Sequence, residues 1–356
     1  MIMNQRIITA DGEYKELDHW FRNVKCCMLV CGNSIKSQKI NRYFEEIPTR
    51  LNVRIVRFMD FAPNPLYESV VKGRDLFRDE HCDAIIAVGG GSAMDVAKCI
   101  RINSGSKIPF LAVPTTAGTG SEATRYAVIY KDGKKQSITS DDCLPDTVLM
   151  DSGMLRTLPL YHRKVSMLDA FSHAIESYWS VNSTEESRRY SKGALEAIIA
   201  NMDGYLANTD EGNMGMLIAA NVAGKAINIT QTTAGHAMCY KITSLFGCAH
   251  GHAAFLCNRI LFPWMIKNID KCIDSRGREY LEKIFNEIGT AMGCSNAREA
   301  SIKISEIFDG LELEVPVSSE AQYEELRLSV NEERLRNNPI ALDGTSINEL
   351  YHSILN

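Results

Sequence analysis

The chain has 356 residues and a formal net charge of −5, with 45% hydrophobic and 23% charged residues, which suits a globular protein of about two domains. No block of basic residues occurs, so the composition excludes a basic surface for nucleic acid. No uninterrupted apolar stretch approaches about 18 residues, which excludes an evident membrane span.

The first 150 residues alternate between strand-like and helix-like patterns. Residues 65–81 predict a helix, and short apolar runs predict strands over 26–32, 53–60, 84–91 and 110–116. This alternation indicates an α/β fold with a doubly wound parallel sheet. Residues 126–138 form two alternating runs around Asp132-Gly133, which predicts a β-hairpin.

From about residue 160 onwards the pattern is helical, with almost no strand signal. Breaks between helices are predicted at 208–213, 246–252 and 337–344. We therefore expect an α/β domain over 1–155 and an all-helical domain over 156–356. The link 101–107, which joins the helix after the third predicted strand to the next strand, is short for such a fold.

Two turns rich in glycine and hydroxyl groups follow successive predicted strands, in AVGGGSAMDVAK (87–98) and VPTTAGTGSEATRYAVI (113–129). Backbone amides and a helix N-terminus favour a pyrophosphate, and ligands of open parallel sheets bind beyond the carboxyl ends of strands. The two turns therefore predict a cofactor cleft, with two purely structural turns as the alternative. The candidate cofactor-binding residues are Gly89, Gly90, Gly91, Ser92, Asp95, Thr115, Thr116, Thr119 and Ser121.

The stretch MLDAFSHAIESYWSVNSTEES (Met167–Ser187) predicts an amphipathic helix with a carboxylate and an imidazole on its apolar side. Asp169 and His173 are spaced i, i+4, so their side chains share one helix face. His236 and His250 lie further along the chain among small residues. A buried carboxylate with neutral imidazoles suits a divalent metal such as Fe(II) or Zn. The alternative is a helix-surface pair and ordinary core histidines.

Eleven cysteines are scattered without a CxxC pair, and the N-terminal segment has no apolar stretch of a secretory signal. An odd, unpatterned set of cysteines predicts reduced thiols and a cytoplasmic location.

Four motifs together resemble the iron-containing (group III) alcohol dehydrogenase family. They are GGGSAMDVAK, PTTAGTGSEAT, LDAFSHAIESY and HAMCYKITSLFGCAHGHAA, in that order along the chain. The resemblance implies a Rossmann-like N-terminal domain, a helical dehydroquinate synthase-like C-terminal domain, a metal and a nicotinamide cofactor in the cleft between them, and a homodimer. The metal ligands that it implies are Asp169, His173, His236 and His250, whereas His252 falls outside the set.

The sequence departs from the family pattern at two positions. Tyr240 stands where many members have a histidine thought to relay a proton, so Tyr240 is the candidate catalytic proton relay. Gly32 stands where many NAD-preferring members have an aspartate that meets the ribose hydroxyls. Its absence predicts that NADPH is accepted, with NADH also possible. Lys135 matches a family lysine near the cofactor.

Three stretches resemble the phosphonoacetaldehyde reductase branch of the family, namely residues 176–187, 223–238 and 337–342. This resemblance implies reduction of phosphonoacetaldehyde to 2-hydroxyethylphosphonate. A small anionic aldehyde requires cations and hydrogen-bond donors in its pocket. The candidate substrate-binding residues are Arg125, Lys225, Asn228 and Thr232.

Other activities remain open at this point. Sulfoacetaldehyde has nearly the same shape as phosphonoacetaldehyde, and a general short-chain alcohol or diol dehydrogenase would not need Arg125 and Lys225. A dehydroquinate synthase-like lyase would bind the same cofactors without net redox turnover, and a non-catalytic role is a further alternative.

Overall fold

The computed structural model describes residues 5–104, 108–330 and 332–355. The chain forms two compact units, one of Met1–Pro159 with Asp203–Asn221 and the other of Leu160–Met202 with Val222–Asn356. The domain limits predicted from the sequence, 1–155 for the α/β domain and 156–356 for the helical domain, remain a prediction.

The described residues of the first unit are built on a six-stranded sheet in which every pairing is parallel. The strands are β1 Arg6–Ala10, β2 Cys26–Cys31, β3 Arg54–Phe58, β4 Ala84–Gly89, β5 Phe110–Pro114 and β8 Thr147–Asp151. Their order across the sheet is β1-β8-β5-β4-β2-β3. Strands β2, β4, β5 and β8 are buried throughout, which explains their continuous apolar sequences. The predicted parallel-sheet fold is confirmed.

Two of the six strands were not predicted. β1 lies at the edge of the sheet and its residues are mostly exposed, so its sequence RIITA carries a weak pattern. β8 is a five-residue buried run, TVLMD, and periodicity does not distinguish such a run from the start of a buried helix. Pairing with β8 places β1 in the sheet.

Among the described residues, the strands are connected by the helices α1 Lys39–Leu51, α2 Tyr67–Asp79 and α3 Gly91–Asn103. Helix α2 lies within the predicted range 65–81. In the short link 101–107, α3 ends at Asn103, and residues 105–107 lie outside the described residues.

The predicted hairpin is present as β6 Tyr126–Lys131 and β7 Lys134–Thr139, paired antiparallel. Asp132 and Gly133 at its tip have φ angles of 52° and 70°. A two-residue turn with both φ angles positive matches the twist of the flanking strands, and Asp-Gly adopts it at low cost.

The rest of the described chain is mainly helical, as predicted. Outside its helices, Cys272 and Ile340 form an isolated β-bridge. Among the described residues, no helix is both long and apolar enough to cross a membrane. The helices are α4 Leu160–Trp179, α5 Glu185–Leu206, α6 Asp210–Thr230, α7 Ala234–Phe246, α8 His250–Lys267, α9 Arg278–Ala291, α10 Ala297–Gly310, α11 Glu320–Leu328, α12 Glu332–Leu335 and α13 Gly344–Ile354.

The prediction of one amphipathic helix over Met167–Ser187 is wrong. Helix α4 ends at Trp179 and α5 begins at Glu185, so the stretch contains the end of one helix, a turn and the start of another. Every residue from Met167 to Trp179 is buried, because α4 packs against α8 and α9 within the second unit. Helix α4 therefore has no polar, solvent-facing side over this stretch, and its polar residues lie in the core.

Candidate functional site

Helix α4 carries three ionisable side chains on one face of its buried part. Asp169, His173 and Glu176 follow the spacing i, i+4, i+7, which places them one above the other along the helix. All three are buried. Burial of a carboxylate is costly unless a cation or hydrogen-bond donors compensate its charge, so this face requires partners.

Helix α7 brings His236 against this face. Nε2 of His236 lies 3.6 Å from Oδ1 of Asp169, and Nε2 of His173 lies 3.8 Å from the same oxygen. The two imidazole rings are stacked with centroids 4.7 Å apart. Asp169, His173 and His236 each offer one potential ligand atom, and these three atoms all lie within 4.8 Å of one another.

The geometry of this cluster fits a divalent cation. In the part of the chain that the structure describes, neither Oδ1 of Asp169 nor Nε2 of His236 makes a hydrogen bond, although both atoms are buried. Two ligands on metal bonds of about 2.0–2.1 Å lie roughly 3.3 Å apart in a tetrahedral site, close to the separation of these two atoms. One carboxylate oxygen and imidazole nitrogens suit Fe(II) or Zn(II).

Glu176 is the residue of this site that the sequence analysis did not identify. Its Oε1 accepts a hydrogen bond from Nδ1 of His236 over 2.5 Å and another from the amide of Asn258 over 2.7 Å. Its Oε2 accepts from the backbone N–H and the hydroxyl of Thr233, at 2.5 and 2.9 Å, at the N-terminus of α7. With Nδ1 of His236 protonated towards Glu176, Nε2 is left to bind a metal. The signal in the sequence was the third member of the spacing Asp169, His173, Glu176.

The ionisation of these groups favours a cation. Burial would raise the pKa of Asp169, but the neighbouring histidines reverse that effect and hold it well below its ordinary value. The same opposition, with the hydrogen bonds to His236, Asn258 and Thr233, lowers the pKa of Glu176 to about 2. Both carboxylates therefore stay charged at neutral pH. Burial lowers the pKa of His236, but its carboxylate partners raise it to about 9.

His250, the fourth implied ligand, is the first residue of α8 and is partly buried beside the cluster. Its ring centroid lies 5.2 Å from that of His236, and its Nδ1 lies 3.6 Å from Sγ of Cys239. The ring of Tyr240 stacks on His250 with centroids 5.4 Å apart. Burial raises the pKa of Tyr240, so its phenol keeps its proton at neutral pH. His252 is buried with its ring against Phe308, at 5.8 Å.

In the first unit, the two glycine-rich turns meet at one edge of the sheet. The parallel pairing of β4 with β5 sets Gly89 beside Pro114, and the N–H of Thr115 donates to Gly89 O over 3.1 Å. A Cβ atom added to Gly90 would lie 3.2 Å from Oγ1 of Thr116, and one on Gly91 would lie 3.2 Å from Cγ2 of Thr119. The glycines thus leave backbone and hydroxyl groups close together at the N-terminus of α3, where Ser92 also lies. That cradle fits the pyrophosphate of a dinucleotide.

Asp95, another predicted cofactor residue, is already bonded within the unit. Its carboxylate accepts from the hydroxyl of Ser121 over 3.1 Å and from the N–H of Val128 over 3.1 Å. The buried ammonium of Lys98 donates to Ser121 Oγ, Thr124 Oγ1 and Tyr126 O. These bonds tie α3 to the second glycine-rich turn and to the hairpin.

The remaining cofactor candidates lie at the same unit's loops and hairpin. Gly32 follows β2 with an extended backbone, φ −89° and ψ 177°, and a Cβ there would meet no atom within 4 Å. Lys135 lies on β7, opposite Tyr130. Its charge lowers the pKa of Asp95, although burial raises that pKa more strongly.

The four candidate substrate residues are divided between the two units. Arg125 lies in the first unit, with Nη1 3.7 Å from Oδ1 of Asp141. Lys225 and Asn228 lie on α6 and are partly buried. Thr232, between α6 and α7, accepts a hydrogen bond from Nη1 of Arg334 over 2.8 Å. Arg334 was not among the candidates, since its contact partner is remote in sequence.

Family comparisons cover nearly the whole chain. Residues 4–152 match the family described as iron-containing alcohol dehydrogenase, and residues 164–355 match the Fe-containing alcohol dehydrogenase family, C-terminal.

The individual relatives described next each share less than 30% sequence identity with this chain. A long-chain-alcohol dehydrogenase 1 of Geobacillus thermodenitrificans is 28% identical over 270 residues, 70% of this chain and 66% of that enzyme, slightly less than two thirds of its length. A phosphonoacetaldehyde reductase of Streptomyces viridochromogenes is 27% identical over 297 residues, 75% of each chain. The structure of a sulfoacetaldehyde reductase of Bifidobacterium kashiwanohense, in complex with NAD+, superimposes with a TM-score of 0.88 over 99% of this chain and 97% of that one, at 22% identity. At that identity the similarity shows the fold.

Proposed function

Since the chain belongs to the iron-containing alcohol dehydrogenase family, we propose that it is a metal-dependent NAD(P)H oxidoreductase that reduces a small anionic aldehyde. The proposed substrate is phosphonoacetaldehyde and the product is 2-hydroxyethylphosphonate. The observation that carries the proposal is the buried cluster of Asp169, His173 and His236, in which two ligand atoms face each other without hydrogen bonds among the described residues.

In this proposal Asp169, His173, His236 and His250 hold Fe(II) or Zn(II). When bound, the cation supplies a Lewis acid for the aldehyde oxygen, and NADPH or NADH supplies the hydride. Glu176 orients His236 by accepting its Nδ1 proton, and Asp169 stays ionised. The product oxygen takes its proton from water, by way of a cofactor ribose hydroxyl or of the Tyr240 phenol, which would regain its own proton from water.

The cofactor residues of the proposal are those at the carboxyl edge of the sheet. The amides at Gly89, Gly90, Gly91 and Ser92, with the hydroxyls of Thr115, Thr116 and Thr119, bind the pyrophosphate at the N-terminus of α3. Ser121, whose hydroxyl donates to Asp95, holds the second turn beside them. Gly32 borders the adenosine ribose, and its lack of a carboxylate leaves room for a 2′-phosphate. Lys135 and Asp95 complete the set, with Asp95 shaping the second turn through Ser121.

The substrate assignment rests on the stretches that resemble the phosphonoacetaldehyde reductase branch and on the similarity to the Streptomyces enzyme. The proposed substrate-binding residues are Arg125, Lys225, Asn228 and Thr232. We also place the protein in a reducing cytoplasm, because its eleven cysteines are free thiols, and we propose a homodimer.

The test is a substrate panel with the iron- or zinc-loaded protein. Phosphonoacetaldehyde, sulfoacetaldehyde, succinic semialdehyde and propanal are each assayed with NADPH and NADH, following loss of the reduced cofactor. The proposal expects the highest kcat/KM with phosphonoacetaldehyde. Equal values with propanal would contradict the anionic substrate, a preference for sulfoacetaldehyde would favour an isethionate-forming reductase, and turnover without net cofactor oxidation would indicate a lyase.

A further inference from the structure

The three stretches that resemble the phosphonoacetaldehyde reductase branch meet at one residue of the second unit, Asn337. Asn337, after α12, accepts through its backbone oxygen from the N–H of Val181 over 3.1 Å. Its side chain accepts from the amide of Asn182 over 2.9 Å and donates to Thr232 O over 3.1 Å. The segments that follow α4, precede α7 and follow α12 therefore form a single structure, although they are far apart in sequence.

The guanidinium group of Arg334 is bonded to one of these joined segments. Nη1 of Arg334 donates to the hydroxyl oxygen of Thr232 over 2.8 Å, and the guanidinium carbon lies over the ring of Tyr240, 5.2 Å from its centroid. Arg334 is partly buried. Since the ring of Tyr240 also stacks on His250, the cation lies on a side chain that borders the candidate metal cluster.

The backbone gives a second connection between Arg334 and the cluster. Thr232 is followed directly by Thr233, whose N–H and hydroxyl both donate to Oε2 of Glu176. Glu176 in turn accepts from His236. Arg334 is thus held next to the cluster by contacts on two sides.

We propose that Arg334, together with the hydroxyl of Thr232, binds the anionic head group of the substrate. A guanidinium presents N–H donors in a plane that matches the oxygens of a phosphonate or sulfonate. The hydroxyl oxygen of Thr232 accepts a hydrogen bond from Arg334. The O–H proton of Thr232 can then point towards an anion and donate to it. The proposal rests on the proposed function and names a residue of that same site. An aldehyde without an anionic group would gain nothing from this cation.

The test compares Arg334→Met with Arg336→Met in the metal-loaded protein. Arg336 is an exposed cation two residues further along, so its variant controls for a general loss of positive charge. Arg334→Met should lose roughly 10- to 100-fold in kcat/KM for phosphonoacetaldehyde, mainly through KM, because a hydrogen bond to a charged group is removed. The ratio of kcat/KM for phosphonoacetaldehyde over propanal should therefore fall by about tenfold or more, because propanal has no anionic group for the guanidinium to bind. Arg334→Lys should recover part of the loss.

A binding measurement separates this proposal from the proposed function. Ethylphosphonate, which cannot react, is titrated calorimetrically into wild-type and variant protein. Binding that disappears in Arg334→Met but persists in Arg336→Met supports the anion site even if the aldehyde panel fails. Absence of ethylphosphonate binding to the wild type, equal loss in both variants, or a parallel fall in propanal and phosphonoacetaldehyde turnover would overturn the role of Arg334.

Discussion

The carboxylate of Glu176 lies 2.5 Å from Nδ1 of His236, with both side chains buried between α4 and α7. This contact decides which nitrogen of His236 faces Asp169. Because Glu176 only accepts hydrogen bonds, Nδ1 carries the proton and Nε2 is directed towards the cluster. The same carboxylate also accepts from the backbone N–H groups of Thr233 and His236 at the N-terminus of α7, so the orientation of the imidazole is coupled to the position of the helix that carries it.

Glu176→Gln is expected to weaken metal binding by about 10- to 100-fold, the usual cost of losing a partner that orients a metal-binding histidine. Glutamine keeps the shape but offers an N–H group, which favours the tautomer with the proton on Nε2. The measurement is a competition titration of zinc against a chromophoric chelator. Glu196→Gln, an exposed change on α5, is the matched control. Equal zinc affinity in Glu176→Gln and wild type would contradict the role of Glu176.

His250→Ala tests the fourth implied ligand, whose ring lies 5.2 Å from that of His236. We expect metal content and turnover to fall together, because a site with one ligand fewer binds its cation less tightly. Metal content is measured by elemental analysis after dialysis. His252→Ala removes a neighbouring buried histidine that faces Phe308 and should retain the metal. Near-normal metal content and turnover in His250→Ala would remove His250 from the ligand set.

Gly32→Asp should shift cofactor preference towards NADH. The backbone at Gly32 is extended with φ −89°, and a Cβ atom there meets nothing within 4 Å, so aspartate fits without strain. Its carboxylate would repel the 2′-phosphate of NADPH and accept from the ribose hydroxyls of NADH. We expect the ratio of kcat/KM for NADPH over NADH to fall by at least about tenfold, the effect of roughly one pair of charges. Gly32→Asn is the uncharged control, and an unchanged ratio in the aspartate variant would refute the placement of Gly32.

Lys98→Met should destabilise the first unit by about 3–5 kcal/mol, the range for breaking a buried charged network by removing one partner. The substitution removes three hydrogen bonds and leaves the buried carboxylate of Asp95 without the nearby positive charge that lowers its pKa. Urea denaturation followed by fluorescence measures the change. The double variant Asp95→Asn, Lys98→Met should regain part of the loss, since no buried charge then remains in the pair. A loss below about 1 kcal/mol in the single variant would mean that the network contributes little.

The local patterns in the sequence predicted much of the fold. Four strands, the hairpin and helix α2 appear where alternation, β-branched runs and Asp132-Gly133 indicated them, because these signals depend on residues close in the chain. The same holds for Asp169 and His173, whose common face follows from helical spacing alone. Strand β1 escaped prediction because its place in the sheet depends on pairing with β8, about 140 residues away.

The sequence by itself determined the chemistry of the second unit's core: a carboxylate and imidazoles among small apolar residues, where the buried charge needs a cation or hydrogen-bond donors to compensate it. Only the tertiary structure decided which residues supply the partners. The contact between Glu176 and His236 joins two helices, and that between Arg334 and Thr232 joins segments 102 residues apart. Such contacts depend on how helices pack, and helix packing is set by the sum of many apolar contacts rather than by any short motif.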